Sequence, residues 1–417
     1  ELLHKQLNQG NITSKQLFYE ISCPKIYLRI FVETILDKLI PFNEYIEMQY
    51  GITINDIQNK CKNLIDHFLK EYDYHSLINN KLTNITDYFP AKFFDDLILI
   101  NEIKTEANSF DKSICFPVTK KDNNYYLLNI DVFIDNFYKA IHRLIFKKSN
   151  QDYKDLISQK KGYLFNESCA KLFKEQLGFE NVLTNYEYNN GEIDIIISEK
   201  DVLFVIECKA RNYTDKISGI SNAFKKANES NLDSASCQLH KFISKLQNEK
   251  IVKLKKDNNV INISYDDYFI LIPLVINLDI LTEINLDYQL RNNKTLYISF
   301  DDLRIIADVI SNRKWLLIDF FSQMLHNSNN SFFADDIIDM FAFYCENKNL
   351  KLLFNKQSIV SVNNLGNDYF GNYFNYKCEK QSLEEFNNDI LTFKSDNQPY
   401  KKVIEEYHKN YFKKSLY

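Results

Sequence analysis

Residues 191–210 read Gly-Glu-Ile-Asp-Ile-Ile-Ile-Ser-Glu-Lys-Asp-Val-Leu-Phe-Val-Ile-Glu-Cys-Lys-Ala. Two apolar runs of strand length, 192–198 and 202–209, flank the polar turn Glu199-Lys200-Asp201, which is the pattern of an antiparallel pair. Val182 to Tyr188 precedes them and is joined by Asn189-Asn190-Gly191; an Asn-Gly step supplies the positive φ angles of a tight type I′ hairpin. Ahead of these three strands, Asp155 to Leu177 has helical character. Behind them a polar, Ser/Asn-rich loop leads to a helix near Ala235 to Gln247 and a strand near Tyr268 to Ile276. The order helix, three-stranded meander, helix, strand predicts a compact α/β core.

The charges inside that core are unusual. Side chains alternate along a strand, so Glu207 and Lys209 share one face and Cys208 takes the other, where it reads as a small core residue. A short antiparallel turn brings Asp194 alongside Glu207. Two carboxylates in so apolar a context are costly unless something cationic lies between them. A divalent ion held by Asp194 and Glu207, with the Cys208 backbone carbonyl as a third oxygen, resolves the conflict, and hard oxygen ligands with room for water describe Mg²⁺. Lys209, with an ordinary pKa of about 10.4, is suited to orienting an attacking hydroxide or neutralising charge on a phosphoryl oxygen. Glu167, within Gly-Tyr-Leu-Phe-Asn-Glu-Ser-Cys-Ala (162–170), lies on or beside the apolar face of the preceding helix and would complete the metal shell directly or through water.

This set, a helix Glu167, a strand Asp194 and the pair Glu207-x-Lys209, resembles the PD-(D/E)xK nuclease superfamily, the restriction-endonuclease-like fold. Gly-Glu-Ile-Asp followed by Ile-Glu-Cys-Lys-Ala is most similar to the branch of Holliday-junction resolvases and methylation-dependent restriction enzymes, with Ile193 standing where that pattern often has proline. The resemblance covers about residues 155 to 280. It implies a catalytic set of Glu167, Asp194, Glu207 and Lys209, with Gln238 on the following helix as a fifth element, and Mg²⁺ (or Mn²⁺) as cofactor. It implies a metal-dependent phosphodiester hydrolase, read here as a DNA endonuclease of restriction or antiphage defence, with DNA favoured over RNA. A nuclease-like module that only binds nucleic acid or protein, and a ribonuclease of the same fold, are the rival readings. A homodimer or a defence-system partner protein is a further expectation.

Around this core the chain is expected to form a mainly helical N-terminal region (1–150), the nuclease-like domain (151–300) and a mainly helical C-terminal region (301–417). Helices are read at Ile26 to Ile40, ended by Pro41, at Ile54 to Tyr72 and at Val132 to Phe146, with a hairpin formed by Ile114 to Val118 and Tyr125 to Leu128. Helix-then-hairpin order is also that of a winged helix, but no recognition helix can be picked out, so a regulatory or assembly role is the reading taken. Further helices are expected at 301–311, 314–326, 334–346, 382–391 and 403–413.

Composition bounds the partners. The 417 residues carry 51 Lys+Arg against 56 Asp+Glu, a net charge of -5. Any nucleic-acid surface must therefore be local. Lys160, Lys161, Lys171, Lys241 and Lys245 crowd the two core helices, and Arg211 and Asn212 follow Lys209; these are the candidate phosphate contacts. Lys250, Lys253, Lys255 and Lys256 are read as part of the same cluster at the later helix. The eight cysteines are scattered with no C-x-x-C pair, which reads as free thiols in a reducing compartment and not as a zinc site. The apolar run Phe269 to Ile276 is far shorter than the roughly 20 residues of a membrane helix. A cytoplasmic protein with no membrane partner is expected. No signal peptide is read at Glu1, and a native start upstream of it is expected.

Overall fold

Strands buried on both faces need apolar residues at every position, not at alternate ones, and two segments answer that description. Val202–Lys209 is buried from Val202 to Cys208, and Ile270–Asn277 is buried throughout. They lie side by side in the interior of the larger sheet. The computed structural model describes residues 25–71, 83–98, 117–128, 130–189, 191–210, 221–278, 295–311, 313–326, 332–333, 337–347, 350 and 360–361. Two units divide the chain, one of residues 1–160 with 214–220, the other of 161–213 with 221–417.

In the first unit, α1 (Lys25–Leu39) ends at a 3-10 turn holding Pro41 and is followed by α2 (Asn43–Tyr50) and α3 (Ile54–Glu71). Then come β1 (Thr83–Asn84), α4 (Ala91–Ile98), the hairpin β2 (Val118–Lys121) and β3 (Asn124–Leu127), and α5 (Ile130–Lys148). The hairpin turns on Asp122 and Asn123, both at positive φ (50° and 63°), the geometry a two-residue loop requires. The strand expected from residue 114 begins at Val118, and 114–116 lie outside the described residues. Packing is aromatic: Phe31 meets Phe137 edge-on at 5.9 Å, and Phe94 stacks on Tyr125 at 4.7 Å.

In the second unit, α6 (Gln151–Lys171, of which residues 161–171 belong here) runs into a π turn at Leu172–Gln176. Gly178, at φ 74°, ends it, as a left-handed residue commonly ends a helix. The meander β4 (Asn181–Tyr188), β5 (Gly191–Glu199) and β6 (Val202–Lys209) follows, then α7 (Ser221–Glu249), β7 (Ile251–Lys256), β8 (Asn259–Ser264), β9 (Ile270–Asn277) and β10 (Leu296–Ser299). The sheet order is β10-β9-β6-β5-β4-β7-β8. Pairing is antiparallel from β6 through β5, β4 and β7 to β8, and parallel across β6, β9 and β10. Phe204 of β6 meets Phe173 and Phe179 at 6.1 and 5.4 Å on the α6 side of the sheet, and α7 packs on β6 and β9. Pro273 sits mid-strand opposite Val205; it has no N–H to give, and β10 begins its pairing one residue later, at Leu274.

The hairpin β7–β8 departs from the expected order. Its lysines read in sequence as charge clustered about the later helix. Instead α7 ends at Glu249, Lys250 turns at φ 63°, and Lys253 and Lys255 stand exposed on a strand whose Val252 and Leu254 are buried. After β10, Ser299 caps α8 (Phe300–Ile310), its Oγ accepting from the Asp302 amide at 3.0 Å; α9 (Lys314–His326) and α10 (Ile337–Asn347) follow. These helices belong to the same unit as the sheet. The helices expected at 382–391 and 403–413 lie outside the described residues. Among the described residues no helix is long and apolar enough to cross a membrane.

Gly191 serves a purpose beyond the one its Asn-Gly context implies. It pairs directly with Tyr188. A Cβ on it would lie 2.5 Å from the Tyr188 hydroxyl, and that ring is held edge-on by Phe242 of α7 at 5.1 Å. Gly191→Ala is therefore expected to cost about 1–3 kcal/mol, the usual range for overpacking, measured by urea denaturation. In a Tyr188→Leu background the cost should shrink; an equal cost in both would show that the ring is not the obstacle.

Candidate active site

The register of β5 against β6 fixes where the charges meet. Ile195 pairs with Ile206, and the next step of that ladder sets Asp194 opposite Glu207. Backbone pairing stops there because a side chain takes over: the Cys208 amide donates to Asp194 Oδ2 at 2.7 Å. Asp194 Oδ1 accepts from Asn166 Nδ2 of α6 at 3.0 Å. On the same face as Glu207, the Lys209 ammonium donates to Glu207 Oε1 and to Gln238 Oε1 of α7, both at 2.6 Å. Asp194, Glu207, Lys209 and Gln238 are thus brought together, by two neighbouring strands and the helix that covers them.

Glu207 is 4% exposed. Burial foremost, then the negative charge of Asp194, pushes its carboxyl up to about 7, against the pull of Lys209. Burial also raises Asp194, opposed by the Cys208 amide, the Lys209 charge and the Asn166 amide. Glu192 is raised by burial and then by Asp194 and Glu187. The Tyr188 phenol is raised by burial and then by Glu207, so this ring flanks the acids. The site holds more negative charge than its one ammonium offsets, which is the condition a divalent cation relieves.

Glu167 stands apart from the pair. Its Oε1 accepts from the Thr184 hydroxyl at 2.8 Å and from Asn185 Nδ2 at 3.3 Å. Among the described residues no group of three or more His, Cys, Asp or Glu is gathered to hold a metal ion. Two carboxylates, Asp194 and Glu207, are thus what the site could offer a divalent ion, with water to complete its shell. Cys208 meets Asp194 through its amide. Its thiol is buried, lies by Cys169 and is pushed up first by that burial, so it is no nucleophile.

The expected phosphate contacts are dispersed. Lys161 is buried, 6% exposed, because its place on α6 turns inward, so it offers no surface charge. Lys160 pairs with Glu44 at 3.4 Å, Lys171 with Glu175 at 3.8 Å and Lys245 with Glu249 at 2.6 Å. Lys241 is exposed. Arg211 and Asn212 lie outside the described residues. Sequence reasoning passed over Asn166 and Asn185, the amides between Glu167 and Asp194. The available signals were an asparagine directly before the helix glutamate and another in the middle of a strand, where asparagine is disfavoured.

The model of an uncharacterised protein family, UPF0102, matches residues 166–248, from Asn166 to the end of α7. That family has a restriction-endonuclease-like fold of the PD-(D/E)xK type, so the match supports the superfamily and a nuclease-like fold for this segment. No curated protein and no solved structure matches the chain.

The raised Glu207 makes a signed prediction. A carboxyl that binds its proton more tightly folded than unfolded stabilises the fold below pH 4.5, and that contribution is lost as pH rises toward 7. From 4.5 to about 7, at 1.36 kcal/mol per pH unit, the loss is about 3 kcal/mol. Denaturation midpoints in EDTA should fall across this window and fall less in Glu207→Gln; parallel profiles would remove Glu207 as the source.

Proposed function

We propose that the chain is a metal-dependent nuclease that hydrolyses phosphodiester bonds, with DNA as the first substrate class to test. The observation carrying this reading is that the β5–β6 register, continued one step past Ile195 and Ile206, faces half-buried Asp194 with buried Glu207, beside an ammonium held by Glu207 and Gln238. Asp194 and Glu207 would hold Mg²⁺ or Mn²⁺. When bound, such an ion supplies Lewis acidity at the scissile phosphate and lowers the pKa of its water.

The chain's own groups do the rest. Lys209 carries three N–H donors; two are aimed at Glu207 and Gln238, and the third is the one that would meet a phosphoryl oxygen as negative charge develops there. Fixing the ammonium in advance removes reorganisation from the reaction step. Gln238 thereby becomes a positioning residue. The Cys208 and Asn166 amides hold both oxygens of Asp194 at set angles. An endonuclease of restriction or antiphage defence fits the resemblance of the motif, and a homodimer would suit cutting of both strands.

Nicking of supercoiled plasmid by the full chain tests the reading. Activity is expected with Mg²⁺ and not with EDTA, and Asp194→Ala or Lys209→Ala should each lower it by about 10²–10³-fold, the scale of losing one preorganised electrostatic group. Cleavage that ignores both substitutions would overturn the assignment. Salt-sensitive binding without any turnover would replace it with a binding module. Faster cleavage of a matched RNA would change the substrate class.

A further inference from the structure

β4 departs from extended geometry at one residue, and that residue stands opposite Asp194. Thr184 pairs with Ile195 and Tyr186 with Ile193, so the register is the same on both sides and no residue is inserted. Asn185 between them has φ 55°. Asparagine is among the few side chains that enter this left-handed region readily. From there its amide bridges two neighbours. Asn185 Nδ2 donates to Glu167 Oε1 at 3.3 Å, and Asn185 Oδ1 accepts from Asn166 Nδ2 at 2.7 Å. The same Asn166 Nδ2 donates to Asp194 Oδ1 at 3.0 Å.

We propose that Glu167 is a positioning residue that acts on Asp194 through the side-chain amides of Asn185 and Asn166, and is not a ligand of the metal. This rests on the reading of Asp194 and Glu207 as the metal-holding pair. Three observations carry it. First, the link is unbroken: Asn166 donates from one Nδ2 to both Asp194 and Asn185, and Asn185 donates in turn to Glu167. With an acceptor oxygen at each end, the orientation of both amides is fixed. Second, Glu167 already has a partner set of its own. Thr184 Oγ1 donates to it at 2.8 Å, while Lys256 Nζ of β7 donates to the Thr184 carbonyl at 2.9 Å and to its hydroxyl at 3.3 Å. Third, among the described residues no three acids are gathered about one point. The glutamate therefore fixes Asn185, Asn185 fixes Asn166, and Asn166 sets the rotation of the Asp194 carboxylate.

Positioning and ligation make opposite predictions for one conservative change. Glu167→Gln keeps an oxygen that can accept from Thr184 and Asn185 but removes the charge that a metal ligand must carry. Asn185→Gly keeps the left-handed backbone, which glycine adopts at no steric cost, and deletes only the amide. The experiment is calorimetric titration of Mn²⁺ into the metal-free full chain, with thermal melts to verify folding. Glu167→Gln is expected to bind within about twofold of wild type, while Glu167→Ala and Asn185→Gly should each bind about tenfold more weakly, the usual loss for a group behind a metal ligand. Gln falling as far as Ala would make Glu167 a ligand and overturn the proposal, as would wild-type affinity in Asn185→Gly. Should Glu167→Ala fail to fold, Asn185→Gly decides alone. A wild-type chain that takes up no Mn²⁺, or an Asp194→Ala variant that binds as well as wild type, would overturn the metal-site reading and the relay with it.

Discussion

Holding two like charges side by side, Glu207 buried and Asp194 half-buried, is the constraint around which the second unit is arranged. Asp194 and Glu207 occupy facing register positions one step past the end of the β5–β6 ladder, and Glu207 is cut off there from bulk water. Three groups near them act as partial counterweights. The Cys208 amide leaves the ladder to serve Asp194, Asn166 reaches from α6, and Lys209 neutralises part of Glu207. A sheet that needed only stability would carry isoleucine at both positions, as it does at 193, 195, 196 and 197.

The topology supplies the means. β6 is antiparallel to β5 and parallel to β9, so its C-terminal end lies where the two modes of pairing meet. The even-numbered residues of β6 bury Phe204 against Phe173 and Phe179, while the odd-numbered ones meet α7. Helix α6 thus brings Asn166 and Glu167 toward one edge of the meander, and α7 brings Gln238 over the other. The left-handed Asn185 lets β4 contribute an amide where a regular strand would present only its alternating side chain.

Much of this was legible in the residues. The strands expected at 182–188, 192–198 and 202–209 form at 181–188, 191–199 and 202–209, because long β-branched runs broken by Asn-Gly and Glu-Lys-Asp leave little choice of register. Alternation alone put Glu207 and Lys209 on one face. What stayed hidden depends on conformation and not on pattern. A mid-strand asparagine hints at a break in the strand but does not fix φ at 55°, and without that angle the link from Glu167 to Asp194 has no visible basis. Gly191 looked like a turn glycine, yet it makes room for a tyrosine ring. The β7–β8 hairpin was masked because lysines on alternate strand positions and lysines on a helix surface look alike when the apolar positions between them are few. Lys161 is similar: a step of one residue, about 100° of helical phase, decides between solvent and interior.

The most direct measurement is a crystal structure of the protein grown in Mn²⁺, with an anomalous difference map. The account predicts a single peak about 2.1 Å from oxygens of both Asp194 and Glu207, with Glu167 still bonded to Thr184 and Asn185. No peak between those two carboxylates, or one centred on other residues, would contradict it.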